Sequence, residues 1–182
     1  MKLKTIISRG KEIRAAYDHK SPELLCSELS VTLLYYPMGT AKKSVKGFIL
    51  KYNDRTAITI NSDLSDIMRK VVFYHEIAHY ILHIRTGLCE NINDCEIYDA
   101  VSGAEYEANM LASELQISDD DAVYAIMNSG SFEEAAALLN VPDVLLSFKV
   151  KLLNEKGYAF PEPPVGASGC YLGNFTEKEC VS

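Results

Sequence analysis

No apolar run in this chain is long enough to cross a membrane. The longest, near Val71 to Ile84, is interrupted by histidines and a glutamate and falls short of the ~20 residues a spanning helix needs. No apolar stretch follows the basic start Met1-Lys2-Leu3-Lys4, so no export signal is expected. A surplus of positive charge is also lacking. Lys and Arg number 18 against 25 Asp and Glu, a net charge of -7, which argues against nucleic acid as the default partner. The local basic stretch Lys2, Lys4, Arg9, Lys11 and Arg14 reads as a solvated helix face. The 5 cysteines (Cys26, Cys89, Cys95, Cys170 and Cys180) are odd in number and widely spaced, and Cys89 and Cys95 miss the usual zinc-knuckle interval. Free thiols in a reducing cytoplasm are therefore expected. No internal repeat is present. What remains is an ordinary globular composition, 48% hydrophobic and 24% charged over 182 residues, enough for one compact core and a helical appendage.

Local signals predict an α+β chain. A polar helix is expected over residues 8–19, then a second begun by Ser21 as N-cap and Pro22 at its first position. Val31 to Tyr36, Lys46 to Tyr52 and Thr56 to Asn61 read as three strands of a small antiparallel sheet, with Asn53-Asp54 as a turn. A long helix follows over about 63–84, capped by Ser62 or Ser65 and stopped at Thr86-Gly87. Residues 88–101 are a loop, and 103–116 form a second strong helix. Ser118 and Ser131 open further helices, and Asn140-Val141-Pro142 precedes the last, to about Asn154. The expected organisation is a catalytic part over 1–117, a helical extension packed on it over 118–158, and an irregular tail over 159–182.

His75-Glu76-Ile77-Ala78-His79 sits within the long helix, between Val71-Val72-Phe73-Tyr74 and Tyr80-Ile81-Leu82. Burying such polar groups without partners costs roughly 2–7 kcal/mol each, and more if charged. A divalent metal would supply the partner. Residues four apart share a helix face, so His75 and His79 can hold one zinc. Glu76, one step round, can take a proton from a water without being a ligand itself. A catalytic zinc needs a third protein ligand. His83 lies about 12 Å along the helix from His75 and cannot share the ion; a place at the helix C-terminus and its negative dipole end suits it better. His19 is remote, in a polar segment. The next helix offers Glu105 and Glu107. Glu105 shares a face with Asn109 and Ala112, and small residues there let helices approach closely, so Glu105 is favoured and Glu107 is the second choice. Asn109, one turn on, could hydrogen-bond a ligand histidine.

With these residues in place, the chain resembles the ImmA/IrrE metallopeptidases of bacteria and their mobile genetic elements. The resemblance rests on Ile58-Thr59-Ile60-Asn61, on Arg69 to His83, and on Glu105-x-x-Ala108-Asn109-x-x-Ala112-x-x-Leu115, in that order. The family's usual Leu-Leu-Met-Pro end to the second helix is replaced here by Leu115-Gln116-Ile117-Ser118, and its Phe before the alanine by Leu111. The resemblance implies a gluzincin-like fold with zinc on His75, His79 and Glu105, and with Glu76 as catalytic base. It also implies an anti-repressor role, cleaving or inactivating a helix-turn-helix transcriptional repressor. Tyr80, Tyr98 and Tyr106 are candidate donors to the oxyanion of such a reaction, and the sequence selects none of them.

Two other functions compete. The same zinc site could serve a regulatory protein that derepresses by contact alone, since Glu76 would look identical. Residues 132–154 also have a faint helix-turn-helix look, but the would-be recognition helix offers only Lys149 and Lys151, and its Leu145, Leu146, Phe148 and Leu152 spacing points to packing.

Overall fold

The computed structural model describes residues 2–17, 21–41, 44–86 and 103–164. Expectations for the 88–101 loop, for His19, Gly87 and Tyr98, for all cysteines but Cys26, and for the tail beyond residue 164 lie outside the described residues. Two helices, α1 (Leu3–Tyr17) and α2 (Pro22–Glu28), precede three strands, β1 (Val31–Tyr36), β2 (Gly47–Tyr52) and β3 (Arg55–Asn61). The long helix α3 (Asp66–His79) follows and passes into a π-helical turn, Tyr80–Ile84. After it come α4 (Gly103–Gln116), α5 (Asp119–Asn128), α6 (Phe132–Leu138) and α7 (Asp143–Glu155).

The α+β class is as the sequence predicts, but the sheet is mixed. β3 is central, antiparallel to β2 and parallel to β1, in the order β1-β3-β2. β2 and β3 form the expected tight hairpin, with Asn53 at φ 52° in its turn. β1 does not pair with β2 in the same way, because the two lie on opposite sides of β3 and the chain must cross the sheet between them. Parallel neighbours require such a crossover, and local alternation does not report it. Asn61 closes this end of the sheet. Fully buried, it accepts from the Met38 and Asp63 amides, both at 3.0 Å, and donates to the Gly39 and Val45 carbonyls at 2.7 and 2.9 Å. That uses the whole capacity of its amide and explains the place of Asn61 at the end of a recognisable strand motif.

Helix α3 is the spine of the core. Ser65, not Ser62, is its N-cap, with its hydroxyl accepting from the Met68 amide. Met68, Val71, Val72, Phe73, Ile77 and Ala78 are all buried, so apolar side chains surround the helix on most sides. Gly47 lets β2 lie close against it; a Cβ there would come within 2.5 Å of a Val72 methyl. The π turn was not foreseen. Its Arg85 amide bonds the Tyr80 carbonyl at 2.8 Å, one residue further than an α-helix would reach, a bulge that often marks functional sites.

Arg14 departs from the expected solvated face. Its Nη1 donates to the Glu114 and Ile117 carbonyls at 3.0 and 2.8 Å, capping the end of α4. Lys2, Lys4, Arg9 and Lys11 are exposed as expected. Gly10 lets α1 pack tightly on α4, since a Cβ there would meet Glu114 Cγ at 2.4 Å.

The later helices join the same core through Leu145, Leu146, Phe148 and Leu152. Neither lysine of α7 presents itself to a nucleic acid. Lys149 is fully buried, with Nζ 2.8 Å from Glu114 and 2.6 Å from Asp119. Lys151 holds its ammonium 5.5 Å from the centre of the Tyr106 ring. Lys156 pairs with the same two carboxylates, at 2.7 Å to Glu114 and 2.6 Å to Asp119. Two acids and two ammonium groups thus form a neutral quartet that locks α7 to α4 and to the start of α5. Among the described residues no helix is long and apolar enough to cross a membrane.

Candidate metal centre

His75 and His79 are brought together by the helical repeat of α3, their ring centroids 4.6 Å apart. Their Nε2 atoms are 3.0 Å apart. Glu105, in the first turn of α4, places one carboxylate oxygen 3.4 Å from His75 Nε2 and the other 3.1 Å from His79 Nε2. The small buried Ala108 and Ala112 let α4 approach α3 closely enough for this. Glu107, the second choice, is not part of this cluster among the described residues.

The orientation of His75 is fixed from behind. Its Nδ1 lies 2.8 Å from Oδ1 of the fully buried Asn109. An amide oxygen only accepts, so Nδ1 carries the proton and Nε2 turns a lone pair toward Glu105 and His79. Three electron-rich atoms thus converge, an arrangement that needs a proton or a cation between them. Zinc bonds of about 2.0–2.2 Å in a tetrahedron put neighbouring donors roughly 3.3–3.6 Å apart. The separations here, 3.0 to 3.4 Å, lie at or slightly below that range, so an ion fits with adjustments of a few tenths of an ångström. Two imidazoles and one carboxylate also match the donor set of catalytic zinc. The His75 side chain is only 7% exposed, while Glu105 is 31% exposed. The cluster is therefore closed at the back and open at the side, where a catalytic site needs a free position.

The electrostatics follow from burial and proximity. Burial works against a charge on His75, but Glu105, Glu76 and Asn109 outweigh it and raise its pKa. Burial, aided by His75, lowers that of His79. Burial also resists ionisation of Glu105, yet both imidazoles overcome it and hold the carboxyl well below the usual carboxylate range. Glu76 behaves oppositely. Burial pushes its carboxyl up to about 7, with His75 opposing and the Glu105 charge adding to the rise.

His83 is not among the converging donors, although its ring centroid lies 5.5 Å from that of His79, and it is no cationic dipole partner. It is buried, and burial, with His79 adding, holds its pKa down to about 4, so the ring is neutral. Tyr80 donates to the Leu29 carbonyl at 3.1 Å. The Tyr106 ring packs edge-on against Phe148 at 5.5 Å. Both are engaged in packing, and no oxyanion donor stands out among the described residues.

Asn109→Ala is expected to weaken zinc binding by about 10–100-fold, the usual cost of losing a partner behind a ligand histidine. Competition with a chromophoric chelator measures it, and Asn109→Asp, which keeps an acceptor oxygen, is expected to recover most of the loss.

Comparison with known proteins agrees with this geometry. The model of the M78 peptidase family, described as the IrrE N-terminal-like domain, matches residues 26–151, well over half of the 182-residue chain. The match includes the three clustered side chains and runs into α7. Metallopeptidase ImmA of Bacillus subtilis (strain 168) is 30% identical over 102 residues, covering 55% of this chain and 58% of that protein. The chain thus spans little more than half the length of that curated relative. No solved structure matches significantly. With a family match over most of its length and a cluster able to hold a metal ion, the chain belongs to the ImmA/IrrE family of metallopeptidases.

Proposed function

We propose that this protein is a zinc-dependent endopeptidase acting in the cytoplasm on a helix-turn-helix transcriptional repressor. The observation that carries this reading is a division of labour among four side chains. Three donor atoms, from His75, His79 and Glu105, converge within 4.8 Å of one another. Beside them a fourth group, Glu76, is buried and lies outside the cluster.

In this reading His75, His79 and Glu105 hold the ion, and Asn109 fixes the His75 ring. A zinc ion held there supplies Lewis-acid polarisation of a peptide carbonyl and lowers the pKa of a water. Glu76 takes the proton of the attacking water and delivers it to the leaving amine nitrogen as the C–N bond breaks. Burial favours the neutral form of its carboxyl in the metal-free protein, and a cation held beside it would favour the ionised form that takes up the proton of the water. Residues 1–117 supply this machinery, and 118–158 brace it as a helical extension.

The substrate class comes from the family resemblance. It is tested by mixing the zinc-loaded protein with the repressor encoded nearest to it and following the repressor on a gel. Fragments that appear with zinc and vanish with a chelator are expected. An intact repressor held in a stable complex would instead mark the protein as a zinc-containing regulator that acts by contact.

A further inference from the structure

His83 lies in the π turn Tyr80–Ile84 and is buried, 6% exposed. Its ring is tilted by 49° to that of His79, with the centroids 5.5 Å apart. That separation is about one helical turn, so the two rings pack one above the other along the ligand helix. His75 has the Asn109 oxygen behind it. Among the described residues His79 has no hydrogen bond of that kind, and the His83 ring packs against it instead.

The second contact of His83 reaches the other ligand helix. Its ring hydrogen-bonds the backbone of Ala104, in a contact that favours the protonated ring, so the ring donates and the carbonyl accepts. Nε2 is buried with no partner among the described residues, which makes Nδ1 the donor. A carbonyl oxygen has two lone pairs, so it can take this bond beside its helical one. Ala104 immediately precedes Glu105 in the first turn of α4. Packing alone does not account for a histidine here. Its unpartnered Nε2 is destabilising, and an apolar ring of similar size would avoid that.

We propose that His83 is a positioning residue of the metal centre, tying the first turn of α4 to the π turn so that Glu105 stays in register with His75 and His79. The proposal rests on the reading of those three side chains as zinc ligands. His83 itself touches neither the ion nor the substrate. The π turn is then the device that carries the Nδ1 donor from the end of the histidine helix to the neighbour of the third ligand.

Two variants of the full chain test it. His83→Phe keeps a ring but has no N–H, and His83→Asn keeps an amide donor near the place of Nδ1. Competition with a chromophoric chelator is expected to show zinc affinity at least about tenfold weaker in His83→Phe and within about threefold of wild type in His83→Asn. In the metal-free protein, the amides of Glu107, Ala108 and Asn109 bond the first-turn carbonyls of α4. Their hydrogen exchange is expected to be at least about tenfold faster in His83→Phe, with that of α7 unchanged. In the wild type, the imidazole 15N shifts of His83 are expected to be those of a neutral ring protonated on Nδ1. The exchange and ring-shift measurements use neither zinc nor substrate. A wild type that binds no zinc would therefore sink the metal reading and leave these two to decide the tie between the helices. The proposal is overturned if His83→Phe matches the wild type in zinc affinity and exchange, if both variants lose equally, or if the His83 ring carries its proton on Nε2.

Discussion

Glu76→Gln is expected to bind zinc as tightly as the wild type and to lose about 10²–10⁴-fold in turnover, the usual contribution of a positioned general acid–base group. Glutamine keeps the shape of the side chain and its burial. It cannot accept a proton from water or return one to an amine. Because Glu76 stands outside the donor cluster, the ion should not register the change. Metal analysis and kcat measured on the same preparation check both halves. Cleavage that persists undiminished would remove Glu76 from the mechanism. Loss of zinc along with activity would place it among the ligands instead.

The second large effect concerns stability. Glu114, Asp119, Lys149 and Lys156 form a neutral quartet in which Glu114 is only 2% exposed and Lys149 not at all. Glu114→Leu leaves two ammonium groups facing one carboxylate. Breaking a buried pair from one side typically costs about 3–5 kcal/mol, against a total stability of roughly 5–15 kcal/mol for a domain. Glu114→Leu combined with Lys149→Met restores neutrality, so the double variant is expected to be more stable than the sum of its parts predicts. Urea unfolding midpoints of the wild type, both single variants and the double variant measure this. Strict additivity would mean that the quartet is not coupled. The same cluster gives a pH dependence. Burial tends to raise the Asp119 carboxyl, but Lys149 and Lys156 outweigh it and lower its pKa. Its contribution is present above the ordinary Asp pKa and lost as pH falls through the lower folded value, which adds to acid instability.

How much of this was legible in the sequence depends on how local each signal was. Caps formed by Ser21, Ser65, Ser118 and Ser131 lie where side-chain oxygens precede helical patterns, because capping is decided within four residues. His75 and His79 meet because one helix spaces them, and the face of α4 that carries Glu105 also carries Asn109 and Ala112. Pairing of β1 with β3 was not legible, since it depends on a crossover between strands that are not neighbours in sequence. The quartet was missed for the same reason. In the sequence Lys149 is only one of two lysines on a helix whose spacing points to packing, and its partners lie 30 and 35 residues away. A lysine next to Phe148 in a helix patterned for packing by Leu145, Leu146 and Leu152 was the available clue, since a buried cation requires acids nearby. Arg14 was hidden in a basic run whose other members are solvated. The π turn after His79 carries no composition signal, and Asn61 looked like a strand end because its four partners are backbone groups.

Zinc content and affinity of the wild type beside Glu105→Ala and Glu107→Ala test the central claim most directly. The wild type and Glu107→Ala are expected to carry one tightly held zinc per chain, and Glu105→Ala to lose it on dialysis. If Glu105→Ala keeps its zinc with unchanged affinity, the acid completing the site is not the one that stands 3.1 Å from His79, and the three-ligand centre described above is wrong.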